Sequence, residues 1–198
     1  DYLTRKRITG SHGARYSARG NLVIPMMDPI GRVHGLQVIY GDPKIKQRKG
    51  RDKDYWPAGV EKAGHFYMVG TPGPVILLCE GFATMCSILE ATITLPVVMA
   101  FDANNLAPVA RVLHKRWPRS KILICADDDY ATRIQFGDDG QPIMNPGVEL
   151  ARLAALQVGG AVVIPTFSLD TARADIAAQV DFKAEDYKAQ VGRVLAGR

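Results

Sequence analysis

Three short apolar runs in this chain each end in side chains that carry oxygen donors. VILLC (75–79) is followed by Glu80-Gly81, LPVVMAF (95–101) by Asp102 with Asn104 and Asn105, and KILICA (121–126) by Asp127-Asp128-Asp129. Carboxylates gathered at one edge repel one another unless a cation neutralises them. Hard oxygen donors of this kind suit Mg²⁺ or Mn²⁺, which keep several waters and bridge to phosphate. A glycine after Glu80 lets the chain turn tightly and lets a phosphate approach the backbone where a helix starts. The same residue types also serve as caps and turn formers at strand ends. One acidic strand end therefore says little. Glu-Gly followed two strands later by Asp-x-Asp is more specific and favours a metal site over capping.

The elements that must position these residues can be read from the pattern. VILLC, LPVVMAF, KILICA and GAVVIP (160–165) are β-type runs. Helical spacing falls between them, over 81–91, 106–117 and 146–158, the last with Pro146 in its first turn. Such alternation predicts an α/β fold with a parallel sheet flanked by helices, in which ligands sit beyond the carboxyl ends of the strands. Residues 130–145 are a polar excursion, and the tail over 171–198 is mostly helical in pattern. Ahead of the breaker cluster Gly70-Thr71-Pro72-Gly73-Pro74 lies a small basic β-rich subdomain. It contains the runs LVIPM and VHGLQVIY, joined by Asp28-Pro29-Ile30-Gly31 as a hairpin turn. The lysine-rich stretch 41–62 is expected to be a loop or a further irregular strand. The resulting division is 1–73, 74–170 and 171–198.

With 198 residues, 47% hydrophobic and 23% charged, the chain has ordinary globular composition, which excludes disorder and fibrous repeats. Its longest charge-free stretches, 63–79 and 153–169, are broken by Gly, Pro and polar residues, so no bilayer span and no membrane partner is expected. There is no CxxC pair among Cys79, Cys86 and Cys125, which argues against structural zinc. An odd number of thiols in apolar stretches suits a reducing cytoplasm. Without an initiator Met or a leader-like opening, Asp1 is expected to be the cut end of a longer chain. Charge is unevenly divided. Residues 1–62 hold 13 Lys and Arg against 6 Asp and Glu, whereas residues 63–198 hold 12 against 14. A basic front joined to a mildly acidic back suggests a polyanion held near a cation site.

Rival chemistries on the same residues fail. ILICADDD has the form of a nucleoside triphosphatase strand, but the chain contains no G-x-x-x-x-G-K-[ST]. There is no G-x-G-x-x-G for a dinucleotide and no G-x-S-x-G for a hydrolase. A haloacid-dehalogenase-like reading of Asp127-x-Asp129 needs the motif after the first strand and Thr or Val where Ala131 stands.

ILLCEGFATMCSI, VVMAFDANNL, ILICADDDYAT, the helix from Gly147 and the strand AVVIP together resemble a Toprim domain. That metal-binding fold is shared by DnaG-type primases, topoisomerases and certain nucleases. The wording EGFAT and AFDANNL is similar to primases of conjugative plasmids and phages. RGNLVIPMMDPIGRVHGLQVIYGDPK, KDYWPAG and GHFYMVG further resemble the basic subdomain that precedes Toprim in those primases. The resemblance implies a primase catalytic core, a nucleotidyltransferase making short RNA primers on single-stranded DNA from nucleoside triphosphates. A Toprim nuclease or a non-catalytic nucleic-acid-binding module is the alternative.

By position, Glu80, Asp127 and Asp129 match the family's catalytic and metal-binding acids, with Glu80 also a candidate base for the attacking 3′-hydroxyl. Arg19 and Lys53 match ridge positions that meet nucleic acid or triphosphate, and Lys44, Lys46 and Arg48 extend that basic group. Gly81, Asp102, Asn104 and Asn105 are supporting candidates. Asp181 and Asp186 keep the acids, though not the spacing, of a late motif that helps hold a further metal. Thr84 stands where replicative primases have Asp, and Gln37-Val38-Ile39 stands in place of their GGR. The implied cofactor is Mg²⁺ or Mn²⁺, and the implied partners include a zinc-binding domain and a helicase. Among weaker signals, Tyr55 and Trp56 could stack bases, but loop aromatics more often anchor their loop in the core. His12, His34, His65 and His114 form no ligand spacing and read as structural or solvent-facing.

Overall fold

A computed structural model of the chain describes residues 2–92, 94–127 and 146–164. Asp128, Asp129, Asp181, Asp186, the excursion 130–145 and the tail 171–198 lie outside the described residues.

The basic front opens with a short helix α1 (Tyr2–Arg5) and forms an antiparallel sheet of β1 (Arg15–Tyr16), β2 (Leu22–Met27), β3 (Val33–Ile39) and β4 (Lys53–Trp56), in that order. The β2–β3 turn forms where expected. Asp28 Oδ1 accepts the N–H groups of Ile30 at 3.0 Å and Arg32 at 2.9 Å, which fixes the reversal. Pro25 is tolerated within β2 because β1 pairs only with Leu22 and Val23, leaving one edge open beside the proline.

The lysine-rich stretch differs from expectation, since it contains a seven-residue helix, α2 (Pro43–Lys49), ahead of β4. Its caps explain it. The Asp42 side chain accepts from Lys44 N–H at 2.9 Å and Pro43 takes the first helical position. Gly50, at φ 70°, closes the helix with an N–H bond to Lys46 O. Lys46, Arg48 and Lys49 then sit at the negative end of the helix dipole.

The second sheet contains β5 (Tyr67–Val69), β6 (Val75–Cys79), β7 (Val97–Met99), β8 (Lys121–Cys125) and β9 (Ala161–Val163), in the order β5-β7-β6-β8-β9. Four of these strands are the expected parallel set, and β5 adds an antiparallel edge. Crossovers are made by α3 (Phe82–Thr92), by α4 (Leu106–Arg116) after a 3₁₀ turn at Ala103–Asn105, and by α5 (Pro146–Gln157). The breakers at 70–74 do not divide the two sheets. β5 precedes them yet pairs with β7, and Phe66 exchanges backbone bonds with Met27 of β2.

Alternation along the parallel strands builds two cores. Leu77, Cys79, Val97, Met99, Leu123 and Cys125 face α3 and the inner residues Leu22, Ile24, Met26 and Ile39 of the first sheet. Ile76, Leu78, Val98, Ile122 and Ile124 face α4 and α5. Ile76, Leu77 and Leu78 are wholly buried, each contributing about 1.5–3 kcal/mol of burial free energy. Strands buried on both faces read as unbroken apolar runs, which is why VILLC and KILIC were legible.

Candidate active site

The register of β6 with β8 sets Cys79 opposite Cys125. Glu80 and Asp127 therefore leave adjacent strand ends on the same edge, and both line one cavity of about 220 Å³. The start of α3 forms one wall. Thr84, in its first turn, donates its hydroxyl to Asp127 Oδ1 at 2.8 Å, which ties the end of β8 to the helix that follows β6. Gly81 and the first residues of α3 bring backbone N–H groups to the same wall. Gly81 adopts no left-handed φ, so the turn after Glu80 does not require glycine, contrary to expectation. A Cβ there would meet nothing within 4 Å, and the glycine instead keeps that wall clear.

The opposite wall comes from the basic front. Lys53 begins β4 opposite Ile39 of β3, and both line the cavity with Asp52. Lys6, just after α1, reaches it too. Lys6 was missed because RKR near the start carries only a charge signal, and its proximity depends on how α1 folds against the sheet. Gln37 is buried in β3 and lines the same cavity, its Nε2 donating to the Tyr55 hydroxyl at 2.9 Å. Burial pushes the Tyr55 phenol above its usual range, and its hydroxyl donates to Phe101 O at 3.3 Å. Tyr55 thus anchors β4 as expected, but Trp56 is 65% exposed. Successive residues of a strand point to opposite faces, so only one of the pair can anchor. Burial, reinforced by Cys125 and Asp127, pushes the Cys79 thiol well above its ordinary value, which keeps it protonated and rules it out as a nucleophile.

Other candidates lie elsewhere. Asp102, Asn104 and Asn105 line a separate depression together with Lys62. Asp102 pairs with the Lys62 ammonium and accepts from Asn105 N–H at 3.1 Å, so it serves as a cap rather than joining the Glu80 rim. Asn105 is buried, donates to Ala100 O at 2.7 Å and His65 O at 3.0 Å, and accepts from Gly64 N–H at 2.9 Å. That is a structural staple. Arg19 is exposed on the β1–β2 turn, and Lys44, Lys46 and Arg48 are exposed on α2; none lines the cavity. His34 Nε2 donates to Asp28 Oδ2 at 2.9 Å and its ring lies tilted against that of His65 at 4.3 Å, in keeping with a structural role.

The donor set fits a divalent cation. Mg²⁺ is commonly held by one or two carboxylates together with substrate phosphates, and Glu80 and Asp127 supply two. Among the described residues no cluster of three or more His, Cys, Asp or Glu gathers as a metal site, so a third protein acid would have to come from outside them. Lys6 and Lys53, with Asp52 between β3 and β4, line the same cavity, so acids for a cation and ammonium groups for phosphate share one space.

No family model matches the chain. Among solved structures, the fold is similar to the DnaG primase catalytic domain bound to ssDNA, with TM-score 0.51 and 14% identity over 96% of this chain and 59% of that one. It is also similar to the primase fragment of the bacteriophage T7 primase-helicase protein, at 0.51 and 16% over 91% and 68%. A third similarity is to the Aquifex aeolicus primase with zinc-binding and RNA polymerase domains, at 0.54 and 17% over 99% and 45%. The chain therefore has the fold of a DnaG-type primase catalytic core, a Toprim-like sheet with a small antiparallel sheet packed on it. Within that class its sequence is related to part of DNA primase TraC of Escherichia coli, 32% identical over 173 residues, or 84% of this chain and 11% of the relative. A second Escherichia coli protein of that name is 33% identical over 150 residues, 73% of this chain and 13% of that relative. The chain spans only about a tenth of the length of these curated relatives.

Proposed function

We propose that the chain is the catalytic core of a DNA primase, joining ribonucleotides on a single-stranded DNA template. The observation that carries this reading is the convergence of Glu80 and Asp127 in one cavity faced by Lys6 and Lys53. In the proposed reaction a 3′-hydroxyl attacks the α-phosphorus of an incoming nucleoside triphosphate and pyrophosphate leaves. Glu80 accepts the hydroxyl proton, and Asp127 is held in position by Thr84. Lys53 and Lys6 hold triphosphate charge, while the clear wall at Gly81 admits a phosphate to the α3 backbone. Glu80, Asp127 and in this proposal Asp129 would hold Mg²⁺ or Mn²⁺, which would supply neutralisation of the entering and leaving oxygens. Asp181 and Asp186 are proposed to aid a further ion, and Arg19, Lys44, Lys46 and Arg48 to track the template. Asp102, Asn104, Asn105 and Gly81 act through structure and access rather than as ligands.

Among the described residues no helix is long and apolar enough to cross a membrane. A cytoplasmic setting, with a zinc-binding domain and a helicase acting alongside, completes the proposal. The test is incubation with single-stranded DNA, labelled ribonucleotides and Mg²⁺ or Mn²⁺. Wild type should extend primers, and Asp127→Asn and Glu80→Gln should abolish extension while retaining the wild-type circular dichroism spectrum. Shortened template in place of primers would establish a nuclease, and full synthesis by either variant would remove the assignment.

A further inference from the structure

The loops that lead into β6 and β8 lie at the sheet edge opposite the carboxylates and enclose a second cavity of about 550 Å³. Pro72, Gly73 and Pro74 form one side, and Arg116 to Ser120 the other. The two sides are fastened together. Ser120 Oγ donates to Gly73 O at 2.6 Å and Lys121 N–H to Pro74 O at 2.8 Å. Pro72, Pro74 and Pro118 restrict the backbone further, so the groove is preformed.

Its charge stands apart from the surrounding half of the chain. Residues 63–198 carry more acids than bases, yet 103–126 hold Arg111, Lys115, Arg116, Arg119 and Lys121 with no Asp or Glu. Among the described residues none of Lys115, Arg116, Arg119 or Lys121 makes an ion pair. Cations in the last turn of α4 offset its dipole, which accounts for Lys115 and Arg116. Arg119 and Lys121 lie beyond the helix and are not explained that way. Trp117 packs against the second core, and the Arg116 guanidinium lies over its ring at 5.5 Å.

We propose that this groove docks an acidic, extended peptide segment carrying an apolar side chain. Arg116 and Arg119 would take carboxylates in forked hydrogen bonds, and the apolar side chain would rest on the prolines and the Trp117 edge. A nucleic-acid strand fits less well. Strand-binding channels need cations spaced along a path and bare aromatic faces on which bases stack. Here only Arg116 and Arg119 line the pocket, and the Arg116 guanidinium lies over the Trp117 ring. The length of β6, about 16 Å at 3.3 Å per residue, separates the groove from Glu80, so an occupant need not compete with substrate. The proposal goes beyond primer synthesis and stands whether or not the chain polymerises.

The test is fluorescence anisotropy of a short labelled peptide of aspartate and glutamate around a central leucine. A lysine counterpart and an oligo-dT strand are titrated in parallel against the 198-residue chain. The acidic peptide should bind in a salt-sensitive manner, and Arg116→Glu with Arg119→Glu should weaken it roughly tenfold or more, as expected for loss of a charge-assisted bond. Oligo-dT binding should not change. Both arginines are exposed, and Arg119→Glu alone provides a second variant, each checked by thermal unfolding. Equal peptide affinity in variant and wild type, or no peptide binding at all, would overturn the proposal. So would a loss confined to oligo-dT, which would assign the groove to nucleic acid.

Discussion

Replacing Thr84 by valine keeps the shape of the side chain and removes one hydrogen bond, the 2.8 Å contact to Asp127 Oδ1. A hydrogen bond to a charged group contributes about 1.5–3 kcal/mol when well buried. Both partners here are half-buried, which places the loss below that range, at about 1 kcal/mol. For a chain of this size that lowers the melting temperature by about 2–4 °C. The larger effect should fall on the site. Groups that orient metal-binding side chains typically change affinity 10–100-fold, and Asp127 released from Thr84 is expected to bind Mn²⁺ about tenfold more weakly. Isothermal titration with Mn²⁺, thermal unfolding and primer extension together test this. Thr84→Ser, which restores the hydroxyl, should recover all three. If Thr84→Val melts like wild type and takes up Mn²⁺ with unchanged affinity, Thr84 does not position Asp127.

Three other perturbations address separate parts of the structure. Asn105→Ala leaves one buried and two part-buried backbone groups without their partner and should cost about 3 kcal/mol, a fall in melting temperature of roughly 6–12 °C, with Mn²⁺ binding retained. Lys53→Ala should weaken triphosphate and template binding and reduce the salt slope on a single strand by about 0.7 for one lost phosphate contact, whereas an unchanged slope would make Lys53 only a surface charge. The Tyr40 hydroxyl, followed by the Lys49 ammonium, holds the Asp54 carboxyl below the usual carboxylate range. Its stabilisation is therefore complete above the ordinary carboxylate pKa, about 4, and is lost as pH falls below that toward the lowered value. Asp54→Asn should accordingly melt lower at neutral pH and lose less on acidification, measured as melting temperature against pH.

The parallel strands were legible because burial on both faces writes them as apolar runs, and their order then placed Glu80 and Asp127 at one edge. α2 was equally legible in principle, since Asp42-Pro43 and Gly50 are helix start and stop signals, but the lysines between them drew attention to charge rather than to caps. Asp102 was beyond reach of local reading. Its fate depends on Lys62, which arrives from a loop forty positions earlier in the chain and neutralises it. Lys6 and Gln37 were hidden for the same reason, because no spacing rule connects residues of the first sheet with a strand end of the second.

The two edges of β6 show why identical sequence signals end in different roles. The chain leaves β6 for α3 on one face of the sheet, whereas β7 and β8 lead to α4 and α5 on the other. In an open α/β sheet such divergence opens a crevice at the strand ends, and here it does so on both sides of β6. On the β7 side a depression remains, but its polar groups are bonded within the protein: Asp102 is paired with Lys62, Asn105 is bonded to three backbone groups, and the Tyr55 hydroxyl reaches Phe101 O. On the β8 side Thr84 donates to one oxygen of Asp127, and Asp127 lines a cavity that Lys6 and Lys53 also line. A lysine against an aspartate supplies a countercharge from within the protein, while a hydroxyl against an aspartate positions the carboxylate and brings no charge of its own. Introducing lysine at Thr84 should therefore set an ammonium against Asp127 as Lys62 stands against Asp102, abolishing Mn²⁺ uptake while preserving the fold. Retained Mn²⁺ affinity in Thr84→Lys would show that an ammonium beside the acid does not govern cation uptake there.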